Sequence, residues 1–244
     1  MNVENHPVVS REAWLAARKQ HLADEKAFTR ERDRLSAKRR ALPWVKVDKD
    51  YRFMGPNGEL KLADLFGKHS QLVVYHFMFA KGWEEGCPGC SFLSDHIDGA
   101  NQHLAHHDIA LVAVSHAPFA EFQAFKRRMG WTFDWVSSDG CDFNYDFGVC
   151  ARAEDVEAGK ATYNYEKTDS AEEEMPGLSV FYRADNGEIF HTYSTYARGL
   201  DMLVGAYNYL DLTPKGRNED EIMEWVRHHD RYDGAAKSSC CHGD

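Results

Sequence analysis

The fold follows from the stretch QLVVYHFMFAKGWEEGCPGCSFLSDH, residues 71–96. Its first part, residues 71–79, is a continuous run of apolar, β-branched and aromatic residues, which is typical of a strand covered on both faces. A helical pattern follows, and Cys87 and Cys90 stand where that helix begins. Three kinds of site use this cysteine spacing: a dithiol redox centre, a peroxide-reducing thiol and half of a metal site.

The periodicity of the helix separates the two cysteines. Residues at steps of three and four share the face directed to the core, and they are Cys90, Leu93, Ile97, Ala100 and Leu104, in a helix predicted to run through about His107. Cys87 lies one turn earlier and is predicted to be accessible. The backbone N–H groups and dipole of a helix N-terminus favour a thiolate, and proline in a first turn costs no hydrogen bond. Glu84 and Glu85 would oppose that effect if they lie nearby.

These positions predict a division of labour between the two thiols. Cys87 is the predicted nucleophile, which attacks a substrate disulfide, and Cys90 is the predicted resolving thiol, which breaks the mixed disulfide. A pair of ordinary core cysteines is the structural alternative.

The surrounding pattern alternates strands and helices. We predict strands at 109–115 and 133–137, a helix opened by Pro118, a hairpin around Asn186-Gly187 and a last helix at about 200–209. Upstream, Pro56-Asn57-Gly58 reads as a hairpin turn and Leu62 to Phe66 as a helical turn. This order predicts a mixed sheet with helices on both faces. The acidic stretch 151–175 is predicted to be a loop.

The N-terminal segment differs from the rest in charge. Ser10 is a predicted N-cap, no Gly or Pro follows until Pro43, and the helix carries only a thin apolar stripe. Residues 11–40 hold ten Lys or Arg and five acids, so this segment has a charge of +5. The rest of the chain has a charge of −15, which gives the net −10. We expect this helix to pack on its own acidic body or on a second subunit. An acidic body argues against nucleic-acid binding.

Bulk properties indicate a soluble protein of the cytoplasm. The longest apolar run, 72–80, is far shorter than the roughly 20 residues of a membrane helix, and no secretory signal pattern opens the sequence. Six cysteines in 244 residues are not a disulfide scaffold. We therefore expect a cytoplasmic protein without a membrane partner.

A metal site at the motif is tested by helix geometry. Cys87, Cys90, His103 and His107 match a zinc-finger spacing literally. In one helix, however, Cys90 and His103 would lie about 20 Å apart, so the four residues could meet only if the helix breaks near Asp98-Gly99. We therefore predict no metal ligands.

The remaining cysteines and histidines have structural readings with open alternatives. Cys141 and Cys150 are predicted to be buried thiols, with a second redox couple as the alternative. The Cys240-Cys241-His242 tail is predicted to be dispensable, although such a tail could relay electrons or capture a soft metal. His76 and His116 are predicted to be satisfied core residues.

Three segments carry a family resemblance. GPNGELKLADLFGKHSQLVVYHFMF, FDWVSSDGCDFNYDFGV and SVFYRADNGEIFHTY resemble segments of the thioredoxin-like peroxiredoxin superfamily. Over residues 8–232, the chain is similar to the bacterial thioredoxin-like family called domain of unknown function 899, which shares the basic helix, CPGCS and DLTPKGR segments. The resemblance implies a thioredoxin-like three-layer α/β/α sandwich with a mixed central sheet and an added N-terminal helix. The implied units are a basic helical extension (1–42), the thioredoxin-like domain (43–232) and a disordered Cys-Cys-His tail (233–244).

The resemblance also implies a substrate surface. Thioredoxin folds place a cis-proline opposite the dithiol, just before a strand, and Pro176 occupies that place in EMPGLSVF. The implied substrate-binding residues are Trp83, Pro88, Gly89, Met175 and Pro176. The peroxidase signature departs here, because Ala80 and Glu84 replace its proline and threonine. Thioredoxins also place a tryptophan directly before the first cysteine, whereas Trp83 stands four residues away.

Together these features predict a thiol–disulfide oxidoreductase that acts on protein or small-molecule disulfides. It would need no cofactor beyond its own Cys87–Cys90 disulfide, and it could form a homodimer through the N-terminal helix. The alternatives are a thiol peroxidase, a metal-binding or copper-delivery module, and a non-catalytic scaffold.

Overall fold

The protein is built around one eight-stranded mixed sheet. The computed structural model describes residues 6–168 and 173–233. The strands are β1 (Val45–Lys46), β2 (Arg52–Gly55), β3 (Gly58–Lys61), β4 (Gln71–His76), β5 (Ile109–Ser115), β6 (Asp134–Ser137), β7 (Thr162–Tyr163), β8 (Glu166–Lys167), β9 (Gly177–Arg183) and β10 (Ile189–Tyr196). The large sheet has the order β1-β10-β9-β4-β5-β6-β2-β3, and β7 and β8 form a separate hairpin.

Eight α-helices lie in the described residues. They are α1 (Arg11–Arg40), α2 (Leu62–Leu65), α3 (Pro88–Ser94), α4 (Ile97–His106), α5 (Phe119–Arg128), α6 (Phe143–Asp146), α7 (Ala153–Glu157) and α8 (Gly205–Leu210). Two 3₁₀ turns, Ala197–Leu203 and His229–Arg231, follow the last strand.

Strand β4 is the centre of the sheet. It pairs in parallel with β5 and antiparallel with β9. Its side chains alternate between two cores: Leu72 and Val74 lie in one, whereas Tyr75 lies in the other with Phe77 and Phe79 just beyond the strand. The predicted strand covered on both faces is therefore confirmed, and so is the predicted α/β architecture with a mixed central sheet.

The predicted single helix after the cysteines is wrong. Helix α3 ends at Ser94 and α4 begins at Ile97, so Cys90, Leu93 and Ile97 are buried but Ala100 is exposed. Tertiary hydrogen bonds hold the break. Asp95 accepts a 2.8 Å bond from the Trp131 indole, and His96 accepts a 3.0 Å bond from the Ala206 backbone.

The basic N-terminal helix is confirmed, and it lies apart from the core. Ser10 Oγ accepts a 3.2 Å hydrogen bond from the Ala13 backbone, as an N-cap does. The helix ends at Arg40, three residues before Pro43, and none of its residues is buried. No helix among the described residues is long and apolar enough to span a membrane.

Two other segments differ from their predictions. The predicted last helix at 200–209 is a 3₁₀ turn followed by α8, because extended backbone at Val204 separates the two. The predicted loop 151–175 contains α7 and the β7–β8 hairpin. Local hydrogen bonds account for this regular structure. In one of them, the Lys160 backbone N–H donates to the Asp155 carbonyl.

Candidate functional site

Cys87 occupies the N-cap position of α3. Its backbone N–H donates to the Met78 carbonyl at 3.3 Å, which ties the motif to the end of the β4 segment. Its own carbonyl accepts from both the backbone and the hydroxyl of Ser91, each at 2.9 Å. Pro88 stands at the first helical position, where it loses no hydrogen bond. The Cys87 side chain is half-buried, and this matches the predicted accessible thiol.

Cys90 lies one turn further and is shielded. Only 2% of its surface is exposed, and the Met78 backbone N–H points at its sulfur from 3.5 Å. The Tyr75 hydroxyl also donates to this sulfur. Burial, followed by the contact with Cys87, raises the pKa of Cys90 well above its ordinary value. Both cysteines are thiols in this structure.

An apolar cavity of about 260 Å³ opens on the dithiol. Both cysteines contribute to its wall. The other lining residues are mostly apolar, with Arg198 and Asp201 as the charged exceptions: Tyr75, Gly89, Leu93, Pro176, Ala197, Leu200, Val204, Ile222 and Met223. A substrate at the sulfur of Cys87 would therefore meet aliphatic surface.

The predicted substrate-binding residues divide into two groups. Gly89 and Pro176 line the cavity beside both sulfurs. Trp83, Pro88 and Met175 are not part of its wall. Trp83 packs near Phe79 with ring centroids 6.4 Å apart, and Met175 is buried with its N–H bonded to the Val149 carbonyl at 2.8 Å.

The expected cis bond before Pro176 is wrong. The Met175–Pro176 bond is trans, as are all peptide bonds of the described residues. The Tyr163 hydroxyl of the β7–β8 hairpin donates to the Pro176 carbonyl at 2.7 Å. This contact holds the Pro176 carbonyl against the β7–β8 hairpin. A trans X–Pro bond is also favoured intrinsically by about 0.5–1 kcal/mol.

A C-terminal segment, Glu219–Tyr232, covers the motif, and sequence reasoning missed it. Met223 lies over the cysteine motif: a Cβ placed on Gly89 would be 3.0 Å from the Met223 sulfur. Met223 adopts a left-handed backbone with φ of 63°, which is uncommon for a residue other than glycine. His228 Nε2 donates to the Gly86 carbonyl at 2.8 Å, directly before Cys87. The sequence signal for this covering segment was a few apolar residues within an otherwise polar stretch.

Charge near the motif is balanced rather than simply acidic. The Glu85 carboxylate pairs with Arg128 at 2.5 Å and also with Arg231. Two guanidinium groups therefore offset the charge of Glu85, one of the two carboxylates expected to oppose a thiolate at Cys87. Arg128 is shared with Asp230 at 2.8 Å, so the same network anchors the C-terminal segment.

The residues that match the zinc-finger spacing form no metal-ligand cluster within the described part of the chain. His103 and His107 are exposed on and after α4, away from the buried Cys90. His76 is a buried core residue, as predicted, and its Nε2 lies 2.8 Å from the Ser179 hydroxyl, but its Nδ1 has no hydrogen-bond partner among the described residues, so the ring is only partly satisfied. Cys141 is half-buried, and the Cys240-Cys241-His242 tail lies outside the described residues.

A different cluster does bring metal-ligating atoms together. Ligand atoms of His116, Cys150 and Glu174 lie within 4.8 Å of one another. Cys150 and Glu174 are buried, at 5% and 1% exposed. Burial raises the pKa of the Cys150 thiol, and it raises the pKa of Glu174 to about 8. Only Cys150 and His116 had been noted in the sequence.

Comparisons with known proteins place these features in context. No curated protein matches the chain. Among solved structures, it is similar to a cysteine-to-serine mutant of PrxQ from Xylella fastidiosa, with a TM-score of 0.44 and 12% identity over 68% of this chain and 94% of that chain. It is also similar to the peroxidoxin BcpB from Mycobacterium tuberculosis, with a TM-score of 0.41 and 13% identity over 66% and 92% of the two chains.

The family comparison extends over nearly the whole sequence. The family model described as "Bacterial protein of unknown function (DUF899)" matches residues 3–232. This range includes the basic helix, the dithiol, the cluster around Glu174 and the C-terminal segment that covers the motif. The chain therefore belongs to the DUF899 family.

Proposed function

We propose that this protein is a thiol–disulfide oxidoreductase with Cys87 as nucleophile and Cys90 as resolving thiol. One observation carries the proposal: both sulfurs contribute to the wall of one cavity, where Cys87 is half-buried and Cys90 is shielded. A substrate disulfide in the cavity meets Cys87 first, and the resulting mixed disulfide is within reach of Cys90.

The chemical steps follow from these positions. The Cys87 thiolate attacks one sulfur of the substrate disulfide, forms a mixed disulfide and releases the other half as a thiolate, which takes a proton from solvent. Cys90 then attacks the Cys87 sulfur, which forms the Cys87–Cys90 disulfide and releases the second substrate thiol. The substrate gains two electrons and the protein loses two. A cellular dithiol must then reduce the protein for another turnover.

Tyr75 has a defined place in the second step. Burial and the neighbouring Cys90 raise the pKa of its hydroxyl well above the ordinary value, so Tyr75 is a donor and not a base. Its hydrogen bond to Cys90 stabilises the developing thiolate. The Cys90 proton therefore passes to the departing substrate thiolate, which is the nearest basic group created by the reaction.

The cavity wall favours disulfides with apolar groups. Leu93, Leu200, Val204 and Met223 surround the entry to the sulfurs, whereas Arg198 and Asp201 are the charged residues of the wall. Small aromatic disulfides and unfolded protein segments have suitable surfaces. A hydrophilic disulfide such as oxidised glutathione would gain less from this wall.

The test is a redox titration of the full chain in graded dithiothreitol buffers, with each cysteine read by alkylation and mass spectrometry. We expect a reversible Cys87–Cys90 disulfide with a midpoint between roughly −120 and −270 mV. Cys87→Ser should abolish reduction of an aromatic disulfide, and Cys90→Ser should trap the mixed disulfide on Cys87. Cys141→Ser is the matched control and should leave both results unchanged.

Two outcomes would refute the proposal. If Cys87 and Cys90 never pair at any potential, the dithiol mechanism is wrong. If hydrogen peroxide is consumed rapidly by Cys87 alone, and the Cys90→Ser variant remains as active as the wild type with a thiol donor, the protein is a peroxidase instead.

A further inference from the structure

A buried cluster on the far side of Pro176 has no role in the dithiol mechanism. It consists of His116 just after β5, Cys150 after α6 and Glu174 before β9. Cys150 Sγ–H donates to Glu174 Oε1 at 2.9 Å, and His116 Nδ1 lies 3.7 Å from the same oxygen. Three chain segments therefore converge on one point.

The carboxylate of Glu174 is poorly compensated for its burial. It is 1% exposed, and within the described residues its ion-pair partner is His116 alone, with no arginine or lysine. Glu173 and Asp139 add negative potential around His116. Without a cation, burial favours the neutral form of Glu174, whose pKa rises to about 8, whereas a bound cation would stabilise its carboxylate form.

The distances suit a tetrahedral ion. Bonds of about 2.3 Å to sulfur and 2.0–2.2 Å to nitrogen and oxygen place tetrahedral ligand atoms about 3.4–3.6 Å apart. The observed 2.9 Å and 3.7 Å, with all ligand atoms within 4.8 Å, require shifts of about an ångström at most. A thiolate and a carboxylate also neutralise a divalent cation, so the loaded site would carry no net charge.

Asn144 supplies a supporting interaction. It is 1% exposed, and its side-chain oxygen accepts from the Ser138 hydroxyl at 2.8 Å. Its side-chain nitrogen has no hydrogen-bond partner among the described residues. Burial raises the pKa of the Cys150 thiol, and the nearby Asn144 amide opposes that rise, which would support the thiolate that binds metal. Ligand-orienting neighbours of this kind are usual at metal sites.

We infer that His116, Cys150 and Glu174 form a site for a divalent transition-metal ion, best matched by Zn²⁺. On binding, the Cys150 thiol and the Glu174 carboxyl group each release a proton to solvent, and the sulfur and the carboxylate oxygen bond to the ion. Three protein ligands leave the fourth position for water, and Cys150 also lines a neighbouring cavity of about 220 Å³. The ion would fix Glu174 two residues before Pro176, so its role is to hold the wall of the dithiol cavity.

The site is tested with Co²⁺ and Zn²⁺ on the full chain. We expect one equivalent of Co²⁺ with a thiolate-to-cobalt charge-transfer band, and displacement of that band by Zn²⁺. Cys150→Ser should remove the band. Glu174→Gln and His116→Gln should weaken Zn²⁺ binding by more than about 100-fold, since loss of a group that only orients a ligand already costs about 10- to 100-fold. Circular dichroism verifies that each variant is folded.

Matched controls separate this site from the other cysteines. The Cys87→Ser/Cys90→Ser variant and the Cys240→Ser/Cys241→Ser variant should both retain the band. If either control abolishes it while Cys150→Ser leaves it intact, the ion binds elsewhere and the inference is wrong. A wild-type protein with no thiolate band at one equivalent of Co²⁺ also overturns it. Neither result bears on disulfide reduction by Cys87, which is measured separately.

Discussion

His228 donates a 2.8 Å hydrogen bond from Nε2 to the backbone carbonyl of Gly86, the residue before Cys87. The Nδ1 atom of the same ring accepts from Arg128 at 3.1 Å, which leaves Nε2 as the donor. The ring is 5% exposed, so the bond is sheltered from water. A residue 142 positions away in sequence therefore anchors the backbone directly before Cys87.

Removal of this bond should loosen the motif. We expect His228→Ala to lower the free energy of unfolding by about 1–3 kcal/mol, because the Gly86 carbonyl loses its buried donor. Alkylation of Cys90 should also become faster, since the segment that covers it is released. His228→Gln keeps a donor and should have a smaller effect on both. Equal alkylation rates in the wild type and His228→Ala would contradict the proposed anchoring.

Gly86 itself should tolerate no side chain. A Cβ at this position would lie 2.5 Å from the Phe77 ring and 2.8 Å from the Phe125 ring, and both rings are buried. We expect Gly86→Ala to destabilise the protein by about 1–3 kcal/mol in urea unfolding. Gly99→Ala in α4 is the control: nothing lies within 4 Å, and alanine should stabilise the helix by about 0.8–1 kcal/mol. Equal effects of the two substitutions would refute the packing argument.

Tyr75→Phe should slow the resolving step and spare the first attack. The change removes the hydroxyl that stabilises the Cys90 thiolate, and a tenfold smaller thiolate population corresponds to one pKa unit. We expect about a tenfold longer lifetime of the mixed disulfide near neutral pH, read by quenched mass spectrometry. The rate profile of resolution should shift to higher pH. A uniform slowing at every pH would indicate a structural effect only.

Stability should depend on pH through His76. Burial lowers the pKa of this ring to about 3 from 6.5. Between these values the unfolded chain binds a proton that the folded protein does not, so stability falls as the pH falls from 6.5 towards 3. Each such proton contributes about 1.4 kcal/mol per pH unit. His76→Gln should reduce the slope of unfolding free energy by about that amount between pH 6 and 5. The same change at the exposed His103 should leave the slope as in the wild type.

The N-terminal helix should mediate self-association. None of its residues is buried, and Phe28 and Leu35 are 69% and 52% exposed on one face. The helix has a charge of +5, whereas the rest of the chain has −15. We expect the wild type to sediment as a dimer that weakens with added salt. Phe28→Glu should give monomers, whereas Ala27→Glu, which adds the same charge on another face, should not. A monomeric wild type at tens of micromolar would contradict this prediction.

Much of the fold was predictable because its signals are local. The buried strand β4, the Asn57-Gly58 turn and the Ser10 cap each depend on side chains within a few residues. The different exposure of Cys87 and Cys90 follows from their spacing at a helix start in the same way. The helix break at Asp95 was not predictable, because Trp131 and Ala206 hold it through contacts distant in sequence.

By itself, the sequence determined the alternation of strands and helices, the basic helix and a dithiol with one accessible and one shielded sulfur. These properties depend on periodicity and local hydrogen bonding, which act within one or two turns. Only the tertiary structure decided that Pro176 and Met223 share a cavity with the dithiol, and that His116, Cys150 and Glu174 meet. The physical reason is that the order of strands in the sheet, and not any local preference, determines which distant segments pack together.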